Sequence, residues 1–427
     1  MTTASLNARL ASAERRHPAH VIAAISVGNA LEWLDIVVYG FLAVTIAKVF
    51  FPAGSETVSL LITLGTFGVT FVMRPIGAFV LGAYADAAGR KKALTLSISL
   101  MLLGTLAITL APSYAQIGML APAIVIAARL VQGFAAGGEF GSATALLAEQ
   151  DPARRGFFAS WQFASQGLTT LLAAGFGWGL NTLLTPEQLT SWGWRIPFAF
   201  GLLIGPVGLY IRRNLEESAE FVRSTTAPVS PTVAASGQVG RILTALGLIV
   251  LATILAYTGL FMPTFAVKQL GMPGSVAFLG TVTLGIVQFA LVPYFGGLSD
   301  RLGRVPVMSL GAGCMIVMIV PAFMLLVSHP TTPALVMIQA VLGVVSAAYW
   351  GPVSAAMSDL FASVRRGRGL AISYSCGVAI FGGFAPFINA WLIGATGSRT
   401  APACYVIFGA IVSLIALAQA RQRYQVR

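Results

Sequence analysis

Long apolar runs separated by short polar stretches fill most of this chain. Most of these runs approach the roughly 20 residues that a helix needs to cross the hydrocarbon core of a bilayer. They cover residues 21–49, 57–82, 93–111, 117–147, 157–184, 192–212, 241–267, 275–298, 306–327, 333–358, 369–395 and 401–420. The pattern predicts an all-α membrane protein with twelve transmembrane helices, which we number as spans in this order.

Two pairs of polar loops repeat across the middle of the chain. Residues 82–92 read GAYADAAGRKK and residues 296–304 read GGLSDRLGR, so Gly, Asp, Gly and Arg recur at one spacing. Both EQDPARRG, which begins at Glu149, and DLFASVRRG, which begins at Asp359, place an acid several residues before Arg-Arg-Gly. We therefore predict two pseudo-symmetric six-helix bundles, 1–212 and 241–427, joined by a cytoplasmic linker at 213–240, as in transporters whose halves rock.

Composition and charge agree with this topology. The chain is 57% hydrophobic and 9% charged, and its mean hydropathy is +0.84, so its main solvent is predicted to be lipid. The net charge of +12 does not indicate a nucleic-acid partner, because the basic residues follow alternate loops as the positive-inside rule requires. Only Lys48, Arg195, Lys268 and Arg399 are assigned to the outer side, so both termini are expected in the cytoplasm.

An enzyme or a receptor is disfavoured by the same pattern. Loops are mostly short, and no nucleophile with a base and no metal-ligand spacing occurs in them. Cys314, Cys376 and Cys404 lie in or beside apolar spans, which suits packing better than a metal cluster. We expect no metal and no bound cofactor, and we expect the function to reside among the spans.

The repeated loops are predicted to gate the molecule. The predicted gating residues are Gly82, Asp86, Gly89, Arg90, Glu149, Asp300, Gly303, Arg304 and Asp359. Asp86 can cap the third span, and Arg90 can pair with an acid at the end of a neighbouring span, such as Glu149. Such pairs would close the cytoplasmic side. The alternative is that these charges only anchor the loops.

Polar side chains inside the first span are the first candidates for chemistry. Asn29, Glu32, Asp35 and Tyr39 follow one another at steps of three, three and four residues, which places them on one helical face. An ionisable group at the bilayer centre costs at least about 2.5–3.5 kcal/mol, so each needs a partner or a wet cavity. No His lies within a predicted span, so a coupling proton is expected on Glu32 or Asp35.

The fourth and fifth spans add candidate substrate ligands. Arg129 lies about 18 Å into the fourth span, near the midplane, and is the predicted anion anchor; Gln132 follows it on the same face. Gln162 and Gln166, one turn apart, can donate to carboxylate oxygens. Glu139, deeper toward the cytoplasm, is predicted to relay protons or to be structural.

Structural alternatives remain open for the same groups. Glu32 and Asp35 could tie the first span to Arg129 or to Arg74, which lies nearer the cytoplasmic end of the second span. The two glutamines could simply link helices. In the second half, which carries few embedded charges, Tyr349 and Tyr374 are named as aromatic contacts to the substrate.

The segments GNALEWLDIVVYG, ARLVQGFAAGGEFG, WGWRIPF and RRNLEESAEF resemble the metabolite/proton symporters of the major facilitator superfamily. SWQFASQ and AIFGGFAP are most similar to the bacterial citrate and tricarballylate symporters in that group. The resemblance implies proton-coupled import of a small organic anion by alternating access in the bacterial inner membrane, with a co-transported proton and no cofactor. It also implies that Asn29, Glu32, Asp35, Arg129 and the fifth-span glutamines surround the central cavity. We expect a monomer.

The first span points to a second class of substrate. Citrate-type members typically carry Glu-Gln-Phe-Asp where this chain has Glu32, Trp33, Leu34 and Asp35, a sequence more similar to osmolyte and oxoglutarate members. Trp33 could then line the pocket, because a cationic head group is attracted to an aromatic face. A zwitterionic osmolyte or an oxo acid is therefore the alternative substrate.

Overall fold

The computed structural model describes residues 18–88, 90–208, 238–361 and 363–426. Within these ranges every one of the predicted apolar segments is helical and no strand occurs, so the predicted all-α class is confirmed. Most of the predicted linker at 213–240 and the glycine at position 89 lie outside the described residues. The division into two domains at that linker therefore stays a prediction.

The first half contains several interrupted spans. Its main helices are Pro18–Phe41, Ala43–Phe50, Glu56–Ala88, Arg90–Leu110, Leu120–Ala135, Glu139–Ala148, Arg155–Leu183 and Arg195–Gly201. The first span bends by 70° at Leu42. The fourth is interrupted by a 3-10 turn, Ala136–Gly138. Glycine weakens a regular helix, and at Gly137 it lets the backbone of the second span come close.

The second half is more regular. Its helices are Gln238–Leu270, Gly274–Leu302, Arg304–Ser328, Thr332–Asp359, Ser363–Gly377, Ala385–Thr396 and Pro402–Tyr424, with a π-helical segment, Val378–Gly382, inside the eleventh span. Gly303 separates the eighth and ninth spans in a left-handed conformation (φ 96°), which a residue without Cβ adopts at no steric cost. Seven helices of the described residues are individually long and apolar enough to cross a membrane.

Glycines join the two halves along the fifth and eighth spans. A Cβ placed on Gly156 would collide with the carbonyl oxygen of Gly296, and one on Gly285 would lie 2.6 Å from the amide nitrogen of Leu171. Gly167 meets Phe289 in the same way, at 2.7 Å. Because lipid provides no hydrophobic drive for helix association, such backbone-to-backbone contact is what stabilises helix pairs in membranes.

Candidate functional site

A cavity lies between the two halves at the middle of the helix bundle. The first, fifth, seventh, eighth and tenth spans line it with Trp33, Val37, Phe41, Gln166, Thr169, Thr170, Ala256, Tyr257, Gly259, Leu260, Leu284, Gln288 and Trp350. Nε2 of Gln166 and Nε1 of Trp350 are buried without a hydrogen-bond partner. These two polar atoms of the cavity wall are therefore hydrogen-bond donors that a ligand could use.

Arg74 of the second span lies beside this cavity. Its guanidinium stacks on the ring of Trp33, with 4.3 Å between the central carbon and the ring centroid, and lies 4.8 Å from the ring centroid of Phe71. The residue is only 2% exposed, yet Nε and Nη2 have no hydrogen-bond partner. These two N–H groups point along the same edge of the guanidinium, which is the edge that binds a carboxylate with two parallel hydrogen bonds.

Aromatic and polar groups from both halves surround Arg74. The hydroxyl of Tyr374 in the eleventh span lies close enough to Arg74, Gln166 and Glu32 to interact with their charges and polar groups. The Tyr257 ring contacts that of Phe71 at 5.1 Å. A ligand held by Arg74 would therefore touch both halves at once.

A second polar cluster is buried inside the first half, away from the cavity wall. Oδ2 of Asp35 accepts hydrogen bonds from Thr105 Oγ1, at 2.7 Å, and from Gln132 Nε2. Gln132 Oε1 in turn accepts from Arg129 Nη1, at 2.9 Å. Arg129 also donates to the backbone carbonyl of Asp35 at 3.4 Å and lies over the Tyr39 ring at 4.0 Å. Gln132 therefore bridges the arginine and the carboxylate.

Arg129, the predicted anion anchor, is packed inside the first half. Its side chain is fully buried and is held by Gln132, Tyr39 and the backbone of Asp35. Neither Arg129 nor Arg74 is among the residues that line the cavity, but Arg74 stacks on Trp33, which does line it. Arg74, treated in the sequence analysis as a structural partner, occupies the interface instead. Both arginines lie within apolar spans, so the sequence shows that Arg74 is embedded. It does not show which way the Arg74 side chain points.

The two fifth-span glutamines have different surroundings. Gln162 donates to Asn29 Oδ1 at 3.0 Å, and Asn29 donates to Ser165 Oγ at 2.7 Å, so this buried group ties the first span to the fifth. Gln166, one turn along, lines the cavity. The structural alternative therefore describes Gln162 and Asn29, and ligand contact remains the hypothesis for Gln166.

Different faces of the first span serve these different surroundings. Trp33, Val37 and Phe41 are four residues apart and line the cavity, whereas Asp35 and Tyr39 contact the cluster around Arg129. Steps of four residues follow one face of a helix, and a step of two crosses to the opposite face. The acid and the cavity wall are thus separated by the thickness of a single helix.

Other predicted site residues lie elsewhere. The hydroxyl of Tyr349 donates to the backbone carbonyl of Leu248 at 2.7 Å, inside the second half and off the cavity wall. Gly82, Asp86, Arg90 and Glu139 belong to helices, but their side chains are outside the part of the chain that the structure describes. Their predicted roles in gating or proton relay stay predictions.

The repeated Arg-Arg-Gly loops pair with each other at one end of the bundle, which we term the basic end. Glu149 of the first copy accepts from Arg366 of the second at 3.1 Å. Asp359 of the second copy accepts from Arg155 of the first at 2.9 Å. Arg155 and Arg366 are equivalent residues, each preceding the glycine of its copy. The duplication therefore produces two reciprocal ion pairs that hold the halves together.

Asp300 adds a third connection at the basic end. Its carboxylate oxygens accept from the backbone amides of Gly156 and Phe157, at 2.8 and 2.9 Å, where the fifth span begins. Arg304 holds the same carboxylate at 2.6 Å. An acid at a helix N-terminus satisfies free N–H groups and meets the positive end of the helix dipole. At the opposite end of the bundle, Lys268 pairs with Glu56 across the halves.

The two reciprocal pairs should contribute unequally to stability. Arg366 and Glu149 are 6% and 4% exposed, whereas Arg155 and Asp359 are 20% and 25% exposed. Arg366→Gln should destabilise the folded protein by about 3 kcal/mol because it removes one partner of a buried ion pair, whereas Arg155→Gln should cost below about 1 kcal/mol. Denaturation in detergent measures both, with Glu149→Gln/Arg366→Gln as the control that removes both charges. Equal losses for the two single variants would contradict this assignment.

Comparison with known proteins agrees with these features. The family model described as sugar (and other) transporter matches residues 21–232, and the major facilitator superfamily model matches residues 244–423. A citrate-proton symporter from Klebsiella pneumoniae is 39% identical over 398 residues, which span 92% of this chain and 89% of the relative. The chain belongs to the major facilitator superfamily. It is thus a multi-pass membrane transporter and not an enzyme.

The chain is also similar to an osmolyte transporter in sequence and to a sugar transporter in structure. A proline/betaine transporter from Escherichia coli K12 is 33% identical over 412 residues, covering 92% of this chain and 81% of the relative. The xylose transporter XylE from E. coli, in a partially occluded inward-open conformation, has a TM-score of 0.71 over 93% of this chain and 95% of its own, at 18% identity. The latter similarity shows the fold, and it confirms the predicted major facilitator arrangement of twelve helices.

Proposed function

We propose that the transporter is a proton-coupled symporter that imports a small organic anion of the citrate-like di- or tricarboxylate class by alternating access. The observation that carries this proposal is Arg74, a buried cation beside a cavity between the halves with two parallel N–H groups free. The citrate-proton symporter from K. pneumoniae, 39% identical to this chain, supports the same class.

The cavity offers the donors that a carboxylate requires. One carboxylate binds the Nε and Nη2 edge of Arg74, and a second oxygen group of the substrate accepts from Gln166 Nε2 or Trp350 Nε1. Charge-assisted bidentate pairs of this kind are stronger than neutral hydrogen bonds and fix the orientation of the ligand. The aromatic walls exclude water, which strengthens the electrostatic attraction.

Proton coupling is assigned to the acids of the first span. Asp35 is 2% exposed and keeps one carboxylate oxygen without a partner, and Glu32 lies within electrostatic reach of Tyr374 beside Arg74. A proton neutralises an acid, and one substrate carboxylate neutralises Arg74; each lowers the cost of closing the cavity. The halves then rock, and the ion pairs of the basic end open and re-form.

The orientation and the oligomeric state complete the proposal. The basic end and both termini face the cytoplasm, as the positive-inside rule requires. Asp300, Gly303, Arg304, Asp359 and Glu149 act as the cytoplasmic gate, and the transporter works as a monomer. The Glu56–Lys268 pair would then close the outer side.

The second candidate substrate is a zwitterionic osmolyte of the betaine or proline type. An oxo acid is a further candidate that differs less from the proposed citrate-like anion. Aromatic rings on the cavity wall favour the zwitterion: Trp33, Phe41, Tyr257 and Trp350 are all present. A quaternary ammonium group is attracted to such faces by about 0.5–2 kcal/mol. Its carboxylate would bind Arg74 as in the main proposal.

Uptake into proteoliposomes tests the proposal directly. With the interior made alkaline, radiolabelled citrate or tricarballylate should accumulate above its outside concentration, and an uncoupler that dissipates the pH gradient should abolish accumulation. Betaine, proline and oxoglutarate are measured in parallel, so selective accumulation of betaine would establish the second candidate. Accumulation of any of these substrates that persists without a proton gradient would disprove the coupling.

A further inference from the structure

Four buried aromatic rings form a continuous layer where the two halves meet. Tyr374 of the eleventh span lies flat on Phe140 of the fourth, with 3.5 Å between the ring centroids and 3° between the ring planes. Phe163 of the fifth span contacts Phe140 at 6.2 Å and Trp350 of the tenth span at 5.3 Å. All four residues are at most 5% exposed. Phe140 and Phe163 belong to the first half, so two of the three contacts cross between the halves.

The layer repeats the pairing of the basic end one level deeper in the molecule. In both copies of the duplicated loop, one ring lies nine residues before the acid and another lies eight residues after the arginine. The matching residues are Phe140 with Glu149, Phe163 with Arg155, Trp350 with Asp359 and Tyr374 with Arg366. The rings whose matching residues form an ion pair are also the rings that touch across the halves. The duplication has therefore placed two reciprocal aromatic contacts beneath the two reciprocal ion pairs.

The layer lies between the cavity and the basic end. Eight or nine residues of helix correspond to about 12–14 Å, which is how far the rings lie from the ion pairs along their spans. Gln166, a cavity residue, follows Phe163 and is thus farther from the basic end. On the other side of the layer, a Cβ placed on Gly141 would collide with the carbonyl oxygen of Gly367, so the fourth and eleventh spans are in backbone contact there. The rings and this contact together lie across the way from the cavity to the basic end.

Trp350 connects the layer to the cavity. It lines the cavity, and its Nε1–H is buried without a hydrogen-bond partner. The indole nitrogen is a donor only, so an oxygen of a ligand satisfies it and an ammonium group does not. Gln166 of the first half offers a second free donor, Nε2, on the same wall. A substrate oxygen group that accepts from both donors bridges the halves.

We propose that the four rings form an inner seal of the cavity, and that Trp350 holds a substrate oxygen only while this seal is closed. The inference rests on the proposed alternating access at this cavity, and it requires neither the proton nor a particular carboxylate. When the halves separate at the basic end, Trp350 moves away from Phe163 and Gln166 together with the second half. One movement thus opens the cavity and removes a donor from the substrate, which favours release on that side.

A cysteine in the cavity tests the seal without any transport measurement. Thr170→Cys places a thiol on the cavity wall, in a protein whose three native cysteines are replaced by serine. A membrane-impermeant maleimide is added to vesicles of either orientation, and Arg301→Cys, at an exposed position, shows which vesicles present the basic end. From that side, Phe140→Ala should label Thr170→Cys about tenfold faster, the factor that one aromatic contact controls, because it removes the ring contacts to Tyr374 and Phe163.

Phe158→Ala is the matched control for the loss of a buried ring. Phe158 is 5% exposed, as Phe140 is, but it contacts Phe157 outside the layer, so its replacement should leave the labelling rate unchanged. Equal labelling rates in Phe140→Ala and Phe158→Ala would show that the layer is not a seal. If Phe140→Ala does not fold, Phe140→Leu is compared with Phe158→Leu, and only the former should label faster.

Trp350→Phe removes the donor and keeps a ring in the layer. The KM for substrate entering from the outer side should rise about tenfold, the loss expected from one hydrogen bond to a charged group. The KM for entry from the basic end should stay near the wild-type value, because Trp350 has already moved away in that conformation. Both values are measured in vesicles of defined orientation. An equal rise on the two sides would show that Trp350 acts independently of the seal.

The outcomes separate this inference from the proposed function. If no carboxylate accumulates but Phe140→Ala labels faster than Phe158→Ala, the proposed substrate fails and the seal stands. If carboxylate accumulates as proposed but the two variants label equally, the seal is wrong and the proposed function stands.

Discussion

Replacing Arg74 with methionine is expected to abolish carboxylate uptake while leaving the transporter folded. Arg74 is the buried cation beside the cavity, and the loss of a desolvated charge contact to a ligand costs about 2–5 kcal/mol, which corresponds to a loss of affinity of about thirtyfold or more. Arg74→Lys should retain part of the binding, because lysine keeps the charge but lacks the planar fork.

Arg74→Met and Arg129→Met should differ in their effect on the thermal stability of the transporter. Methionine removes the two N–H groups of Arg74 that have no partner but loses the stacking on Trp33, so the thermal midpoint should fall less than it does for Arg129→Met. Arg129→Met is the matched control, because Arg129 is held by Gln132 and the Asp35 backbone and its loss should lower the midpoint. Uptake and thermal unfolding of both variants are measured together. Full uptake by Arg74→Met would exclude Arg74 as the anion anchor.

Replacing Asp35 with asparagine is expected to separate substrate movement from proton movement. The amide oxygen of asparagine can still accept from Thr105 and Gln132, so the cluster keeps its geometry. An amide does not bind a proton in the physiological pH range, so accumulation driven by a pH gradient should disappear. Substrate exchange should persist, and its rate should no longer vary with pH where the wild-type rate does.

Glu32→Gln distinguishes the two acids of the first span. Glu32 lies in the electrostatic neighbourhood of Tyr374 and Arg74, so its replacement should mainly change substrate affinity and leave the proton requirement in place. Net accumulation and exchange are measured in the same proteoliposomes for both variants. If Asp35→Asn still accumulates substrate and Glu32→Gln does not, the coupling acid is Glu32 and the assignment of Asp35 is wrong.

Substrate choice depends on how the cavity balances charge. Arg74 offers one positive charge beside the cavity, and the Gln166 and Trp350 donors are neutral. A substrate with several carboxylates therefore brings more negative charge than Arg74 can neutralise, and the remaining charge is costly in a poorly hydrated cavity. Within the proposed symport, a co-bound proton offsets part of this cost, which gives the coupling a physical reason.

Much of the architecture could be predicted before any contact was known. The length and hydropathy of each segment predict the spans because the bilayer requires about 20 apolar residues of a helix. The repeated acid and Arg-Arg-Gly motifs indicated the duplication and the residues of the basic end. Their reciprocal pairing, Glu149 with Arg366 and Asp359 with Arg155, could not be predicted, because spacing along the chain does not say which loop meets which.

By itself, the sequence determined the helical class, the spans and the few ionisable groups that the apolar segments contain, and it predicted the division into two related halves. Only the tertiary structure decided that Arg74 rather than Arg129 lies at the cavity, and that Gln166 rather than Gln162 lines it. The rotation of a helix about its axis depends on the neighbours against which it packs, here on Gly77 against Phe134 and Gly133 against Thr70 where the second and fourth spans touch. An isolated apolar segment contains no information about that neighbour, so two buried arginines look alike until the helices are packed.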